Sequence, residues 1–301
     1  GCTSTAYMFR STPFNQPLDA WDVSNVTSMK GMFYSADSFN QPLIAWDVSS
    51  LTSMQEMFAY TEAFNQDLSG WDVSKVTTMK NTFLNANAFT GQGLSTWAPT
   101  SALEDMTQTF YGMPLAADTD LGSWNVSGVK SFNLCFYACN LFTGVNLNNW
   151  DVSSAEDMSL MFYNANNFNT DISGWDVSKA TNMKGMFKNA TDFNQNLSSW
   201  NLSSLVQNVD VYEIPYGSST RDDFDYGGDT TLADLSTGIY SGIAQIFKDS
   251  GMSKTNLDLT ISGWCDSAST PNGSTVPGGD LQLGTIPLNG SSETLDPATI
   301  T

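Results

Sequence analysis

Residues 21–45 read WDVSNVTSMKGMFYSADSFNQPLIA, residues 46–70 read WDVSSLTSMQEMFAYTEAFNQDLSG, and residues 175–199 read WDVSKATNMKGMFKNATDFNQNLSS. Stretches this alike in one chain make an internal repeat the deciding fact about the fold. Tryptophan marks the period: Trp21, Trp46, Trp71, Trp97, Trp124, Trp150, Trp175 and Trp200 stand 25, 25, 26, 27, 26, 25 and 25 residues apart. Working outward, residues 2–18 align with 26–43 with one deletion, so the chain opens inside a repeat, and the pattern persists to about residue 205. Between 97 and 149 it is degraded, with Ala98 and Asn125 where aspartate stands elsewhere. Drift and a diverged binding surface are the two readings of that middle.

Within one copy, Leu43-Ile44-Ala45-Trp46-Asp47-Val48 is a short apolar run, expected to be a strand with Trp46 and Val48 on one side and Asp47 on the other. Ser49-Ser50 then reads as a helix start, and Ser101 with Glu104 and Ser153 with Glu156 have capping-box spacing. Val26, Met29, Met32, Phe33 and Ala36 follow at helical spacing and predict a short helix with one apolar stripe. A Phe-Asn-Gln turn returns the chain to the next strand. The expectation is an α/β repeat: a leucine-rich-repeat-like solenoid with one short parallel strand and one short helix per coil of about 25 residues, closed by an irregular C-terminal cap. The divisions expected are 1–205 as the solenoid, 206–265 as an insertion or cap, and 266–301 as a tail rich in Ser, Thr, Gly and Pro. The middle segment carries an amphipathic helix (Leu232, Leu235, Ile239, Ile243, Ile246, Phe247) and a final repeat-like strand over 260–264.

Stacking turns equal positions into columns. Phe39, Phe64, Phe89, Phe168 and Phe193 are expected inside, with the Met and Trp columns. Asn15, Asn40, Asn65, Asn169 and Asn194, with Gln16, Gln41, Gln66 and Gln195, are expected to form amide ladders. The alternative for the Trp column is an exposed row that stacks on sugar rings. Asp22, Asp47, Asp72, Asp151 and Asp176 share a column in which neighbours lie about 5 Å apart. Like charges so placed repel unless backbone N–H groups or a cation compensate.

The pattern W-D-V-S-x-V-T-x-M-x-x-M-F-x-x-A-x-x-F-N-Q-x-L resembles the BspA-like leucine-rich-repeat surface proteins of bacteria and microbial eukaryotes. The resemblance spans 1 to about 205 and says nothing of most of the rest. It implies a leucine-rich-repeat-like solenoid used for surface binding, adhesion or assembly, with no family-wide catalytic activity.

Composition removes other classes. The 301 residues carry 11 Lys plus Arg, 31 Asp plus Glu, a net charge of −20 and no His. A chain this acidic lacks the cationic surface that nucleic acid or anionic lipid requires. Without His there is no Ser-His-Asp or Cys-His nucleophile and no His-ligated zinc site. A carboxylate pair for glycoside hydrolysis is the remote enzyme reading, and the repeated Asp column argues against it because an active site is one constellation. The expectation is that the chain is not an enzyme. No apolar stretch approaches the ~18–20 residues of a membrane span, and Gly1-Cys2-Thr3-Ser4 has no basic-then-apolar leader, so any leader is read as already removed.

Beyond the repeat the acidity condenses. In Asp222-Asp223-Phe224-Asp225-Tyr226-Gly227-Gly228-Asp229, followed by Asp234, the residues Asp223, Asp225, Asp229 and Asp234 partly match a calcium loop, with a solvated acidic turn as the other reading. Calcium is the one cofactor considered. Cys135 and Cys139 are either core fillers or a local disulfide; Cys2 and Cys265, near opposite ends of the stack, are candidates for a bond between subunits. Sequons stand at Asn25, Asn125, Asn189, Asn196, Asn201, Asn272 and Asn289, about as many as chance supplies. A start inside a coil leaves an uncapped edge, which reads either as a missing upstream part or as a surface that docks head-to-tail on another subunit. The function expected is an extracellular or cell-surface structural and interaction protein, self-assembling head-to-tail, with protein partners. A monomeric adhesin or glycan-binding module is the alternative.

Overall fold

The computed structural model describes residues 1–202, 204, 205, 246, 250–253, 256 and 260. Coils stack in register, and each contributes one residue to a parallel ladder of single bridges: Ser4, Ser28, Ser53, Thr78, Asp105, Ser131, Asp157 and Asn182, each paired with the next.

The α/β solenoid expected from the sequence is not what forms. Residues 1–202 contain no α-helix; their helical segments are two single 3-10 turns, Leu94–Thr96 and Leu147–Asn149. The run 43–48 is not a strand, and the ladder sits elsewhere, at the Ser28 and Ser53 column. The Ser-x-x-Glu sites start no helix: the N–H of Glu104 donates to Thr77 O and that of Glu156 to Lys130 O, one coil back.

Residues 29–36 show why the helix loses. The N–H groups of Met29, Gly31, Phe33 and Ser35 donate to Ser53, Gln55, Met57 and Ala59 in the next coil. Those of Met32, Tyr34 and Ala36 instead close turns onto Met29, Gly31 and Phe33 within the coil. Gly31 and Ser35 are left-handed, with φ of 56° and 51°, and the same two positions recur as Glu56 and Tyr60, Asn81 and Asn85, Gln108 and Gly112, Leu134 and Ala138, Leu160 and Asn164, Gly185 and Asn189. A turn followed by one left-handed residue repeats every four residues. It therefore turns Met29, Met32, Phe33 and Ala36 inward, all of them buried, as a helix of 3.6 residues per turn also does. The periodicity is common to both conformations; a left-handed residue in every turn excludes the helix. Each non-glycine in that region costs about 1–2 kcal/mol, offset by backbone hydrogen bonds between coils worth about 0.5–1.5 kcal/mol each.

The core is a set of aromatic columns. Phe33, Phe58, Phe83, Phe110 and Phe136 stack with centroids 5.2–6.1 Å apart, flanked by the column of Phe39 and Phe64 and that of Phe168 and Phe193. Beside them Trp46, Trp71, Trp97 and Trp124 run nearly parallel at 5.8–6.5 Å. Every tryptophan from Trp46 to Trp200 is buried, and each indole N–H donates to a carbonyl of an earlier coil, Trp46 to Leu18 and Trp124 to Leu94 among them. Such a donor placed inside apolar surroundings needs that partner. The exposed Trp row is thus overturned as well; Trp21, on the first coil, alone of these is exposed, at 39%.

The amide ladders form. Asn15 Oδ1 accepts from the N–H of Asn40 and from Gln41 Nε2, and Asn40 Oδ1 accepts likewise from Asn65 and Gln66. The last rung is supplied by residues far along the chain: Asn194 Oδ1 accepts from the N–H of Ser253 and from Asn256 Nδ2. Phe187 N–H donates to Ile246 O as Phe162 N–H does to Met186 O, and Leu197 N–H reaches Thr260 Oγ1. These residues occupy the place of a further coil against Phe187 and Asn194. The remainder of the expected helix, the 260–264 strand apart from Thr260, and the 266–301 tail lie outside the described residues.

Candidate functional site

The motif's aspartates serve turns. Oδ1 of Asp22, Asp47, Asp72, Asp151 and Asp176 each accepts from the N–H of the serine two residues on, at 2.9–3.1 Å. Asn125 does the same with Ser127, so a neutral amide oxygen also serves the turn. The serine hydroxyl, then its N–H, hold Asp22, Asp47, Asp72 and Asp176 below the usual carboxylate range. A general acid requires the opposite shift.

Cys135 and Cys139 are buried free thiols, and Cys139 Sγ donates to Phe110 O at 2.9 Å. Burial pushes both thiols well above their ordinary range, as in inert core cysteines. Cys2 is an exposed free thiol. Among the sequon residues, Asn25, Asn125, Asn196 and Asn201 are exposed, while Asn189 is half-buried, left-handed and bonded through Nδ2 to Asn164. Asp223, Asp225, Asp229, Asp234, Cys265, Asn272 and Asn289 lie outside the described residues. No cluster of three metal-ligating side chains occurs among the described residues.

What sequence reasoning missed is a second aromatic file, on the outside. The carbonyls that accept from successive left-handed residues belong to Tyr34, Ala59, Leu84, Tyr111, Tyr137, Tyr163 and Lys188, which defines a column running along one face. Tyr111 stacks on Tyr137 at 4.3 Å and 5°, and Tyr137 on Tyr163 at 5.0 Å and 13°. Lys188 Nζ lies 5.3 Å from the Tyr163 ring, and at the other end the Arg10 guanidinium lies 4.8 Å from that of Tyr34, both within cation–π range. These tyrosines are half-buried where the tryptophans are sealed. Burial first, and Tyr137 next, push the Tyr111 phenol up to about 12.

The file breaks in the middle, where Ala59 and Leu84 hold the column position. Tyr60, one residue beyond Ala59, leans back on Tyr34 at 5.3 Å and 58°. A groove of ≈ 420 Å³ opens there, with Tyr34 and Tyr60 at one end, Tyr111 at the other, and Leu84, Asn81 and Gln108 between. Asn81 Oδ1 is shielded and has no hydrogen-bond partner, an omission that costs about 1–3 kcal/mol. The signal in the sequence was tyrosine at 111, 137 and 163, one place after the inward Phe110, Phe136 and Phe162. A helical reading gave that position no special standing.

A family described as Mycoplasma protein of unknown function, DUF285, matches residues 3–117 and, a second time, 104–215. The chain belongs to that family. Two successive matches agree with a repeat running through the stacked coils, and the tyrosine face lies within the matched residues. No curated protein and no solved structure matches the chain.

Proposed function

We propose that the protein is a secreted or cell-surface scaffold whose stacked coils hold the tyrosine file as a contact face for other proteins, in the manner that the likeness to BspA-like surface proteins implies. The observation that carries this is the placement of Tyr111, Tyr137 and Tyr163 outside a core already filled by Phe and Trp columns. Tyrosine so placed supplies rigid amphipathic area at low entropic cost, which is why it is enriched at interface hot spots. The long stack keeps these rings in fixed register, so a partner meets a preorganised row and not a set of independent side chains.

The test is selection from a displayed random-peptide library on the full chain, with a glycan array in parallel. Peptide binders that weaken at least about tenfold on the Tyr137→Ser/Tyr163→Ser double variant support the reading. Binding confined to glycans replaces it with the carbohydrate alternative. Peptide binders indifferent to the tyrosines place the contact face elsewhere and overturn it.

A further inference from the structure

We propose that the tyrosine face is a cationic strip on an otherwise acidic stack, and that it takes an extended acidic segment of a partner polypeptide. The proposal deepens the scaffold reading and rests on it. The strip consists of the two left-handed residues of each coil and the residue just before each of them, positions that the hydrogen bonds between coils keep in register. In residues 1–200 these positions hold five of the eight Lys and Arg residues but one of the eighteen Asp and Glu residues. Arg10 and Lys188 end the tyrosine column, Lys30, Lys80 and Lys184 share the column beside it, and Glu56 is the one acid. None of these six is buried. Tyr7 joins the two columns into one face: Lys30 Nζ lies 5.9 Å from its ring centroid and the Arg10 guanidinium 5.3 Å. Net charge sums over every side of the stack and hides this segregation, which only the register of the coils brings out.

The strip's chemistry suits carboxylates. Lysine and arginine draw them in at a distance, and the tyrosine phenols supply O–H donors at contact. Its borders set the width of the guest. Glu104, Asp105, Glu156 and Asp157 lie on one side, in and beside the column of parallel bridges. Asp37, Glu62 and Asp192 lie on the other, two or three residues past the last left-handed position of their coils. A broad polyanion that overhangs the strip meets these carboxylates, whereas a single extended chain laid between them does not. From the coil of Lys80 to that of Lys184 there are four steps, about 19 Å at the usual spacing, which about six extended residues span.

The test is fluorescence anisotropy on the full-length chain at low ionic strength, with labelled eight-residue peptides of alternating Asp and Ser or of alternating Asn and Ser, and with labelled heparin. The Asp-Ser peptide should bind at least about tenfold more tightly than the Asn-Ser peptide, and its affinity should fall as salt is added. Lys30→Gln/Lys80→Gln should weaken it by about three- to tenfold, as the loss of two exposed ion pairs does. Lys75→Gln/Lys179→Gln removes the same charge from exposed positions outside the strip, and should change binding by less than about twofold. Glu56→Gln removes the one acid in the strip and should tighten binding by about twofold, a gain that misfolding does not mimic. Equal binding of the Asn-Ser peptide, equal losses in the two lysine variants, no gain on Glu56→Gln, or binding of heparin alone overturns the strip. Library peptides that depend on Tyr137 and Tyr163 but carry no excess of Asp or Glu would then leave the scaffold reading standing.

Discussion

Two aromatic files follow this stack, one of tryptophan with rungs 5.8–6.5 Å apart and one of tyrosine with rungs 4.3–5.0 Å apart, and they have opposite outcomes. From Trp46 to Trp200 the indoles lie in the core, with each N–H donated to a carbonyl of an earlier coil. The tyrosines lie half in solvent, bonded mainly to one another's faces and ended by Arg10 and Lys188. Every coil from Trp46 to Trp200 supplies a buried tryptophan, whereas the tyrosine file has a gap at Ala59 and Leu84. Repetition alone builds ladders. Whether a ladder binds the protein together or faces outward depends on which side of each coil it occupies.

The largest effect should come from the inner file. Trp124→Ala removes a buried ring and its bond to Leu94 O, and should cost about 3–5 kcal/mol in chemical denaturation. A loss under about 1 kcal/mol would erase the contrast between the files. Trp124→Phe keeps most of the apolar volume and removes one of the two donors to the Leu94 carbonyl, which keeps the Trp97 N–H, so about 0.5–1.5 kcal/mol is expected. The difference between the two variants separates packing from the hydrogen bond.

Acid should act next, on the residue that follows the tryptophan. Asp22, Asp47, Asp72 and Asp176 are held below their ordinary value of 3.8 by the serines two residues on. A depressed carboxylate contributes stability that is full above the unfolded value and is lost as pH falls through the folded one. Stability should therefore decline as pH drops below about 4. Replacing all four by Asn, as the protein itself does at Asn125, should flatten that acid limb and lower the stability at neutral pH toward the level that the parent protein reaches in acid. An unaltered limb would show that the turns gain nothing from the charge.

The smallest stability effect should come from the outer file. Tyr137→Ser should cost no more than about 1 kcal/mol, within the range of surface changes and one lost aromatic pair. It should nevertheless pull the Tyr111 phenol down from about 12 toward the ordinary 10, since Tyr137 covers that ring. A near-ultraviolet absorbance titration reads this directly. A Tyr137→Ser protein that melts as early as Trp124→Ala would make the tyrosines part of the core in all but position.

Much of this was legible in the chain itself. The period, the stacking, the Phe and Met interior and the Asn-Gln ladders followed from equal residues recurring at equal steps. The conformation of each coil did not follow, because apolar residues at 29, 32, 33 and 36 satisfy a helix and a run of turns equally. The discriminating signal was available at Gly31, Asn81, Asn85, Gly112, Asn164, Gly185 and Asn189, residues that accept a left-handed backbone and that sit four apart wherever one coil shows both. Glutamate, glutamine, leucine and tyrosine at the same positions in other coils masked it. The tyrosine file was hidden for a related reason. Its members lie on no stripe of the assumed helix, and Tyr60 enters it from one residue out of register.

By itself the sequence determined that one unit is copied, how far it runs, and which residues must stack, because translation along an axis places like on like whatever the local conformation. Only the tertiary structure decided the backbone of the coil and the outward face. A lone coil closes few hydrogen bonds within itself, and alternate N–H groups choose the neighbouring coil only once that coil is present. The left-handed residues are affordable in that company, and they aim Tyr111, Tyr137 and Tyr163 into the open.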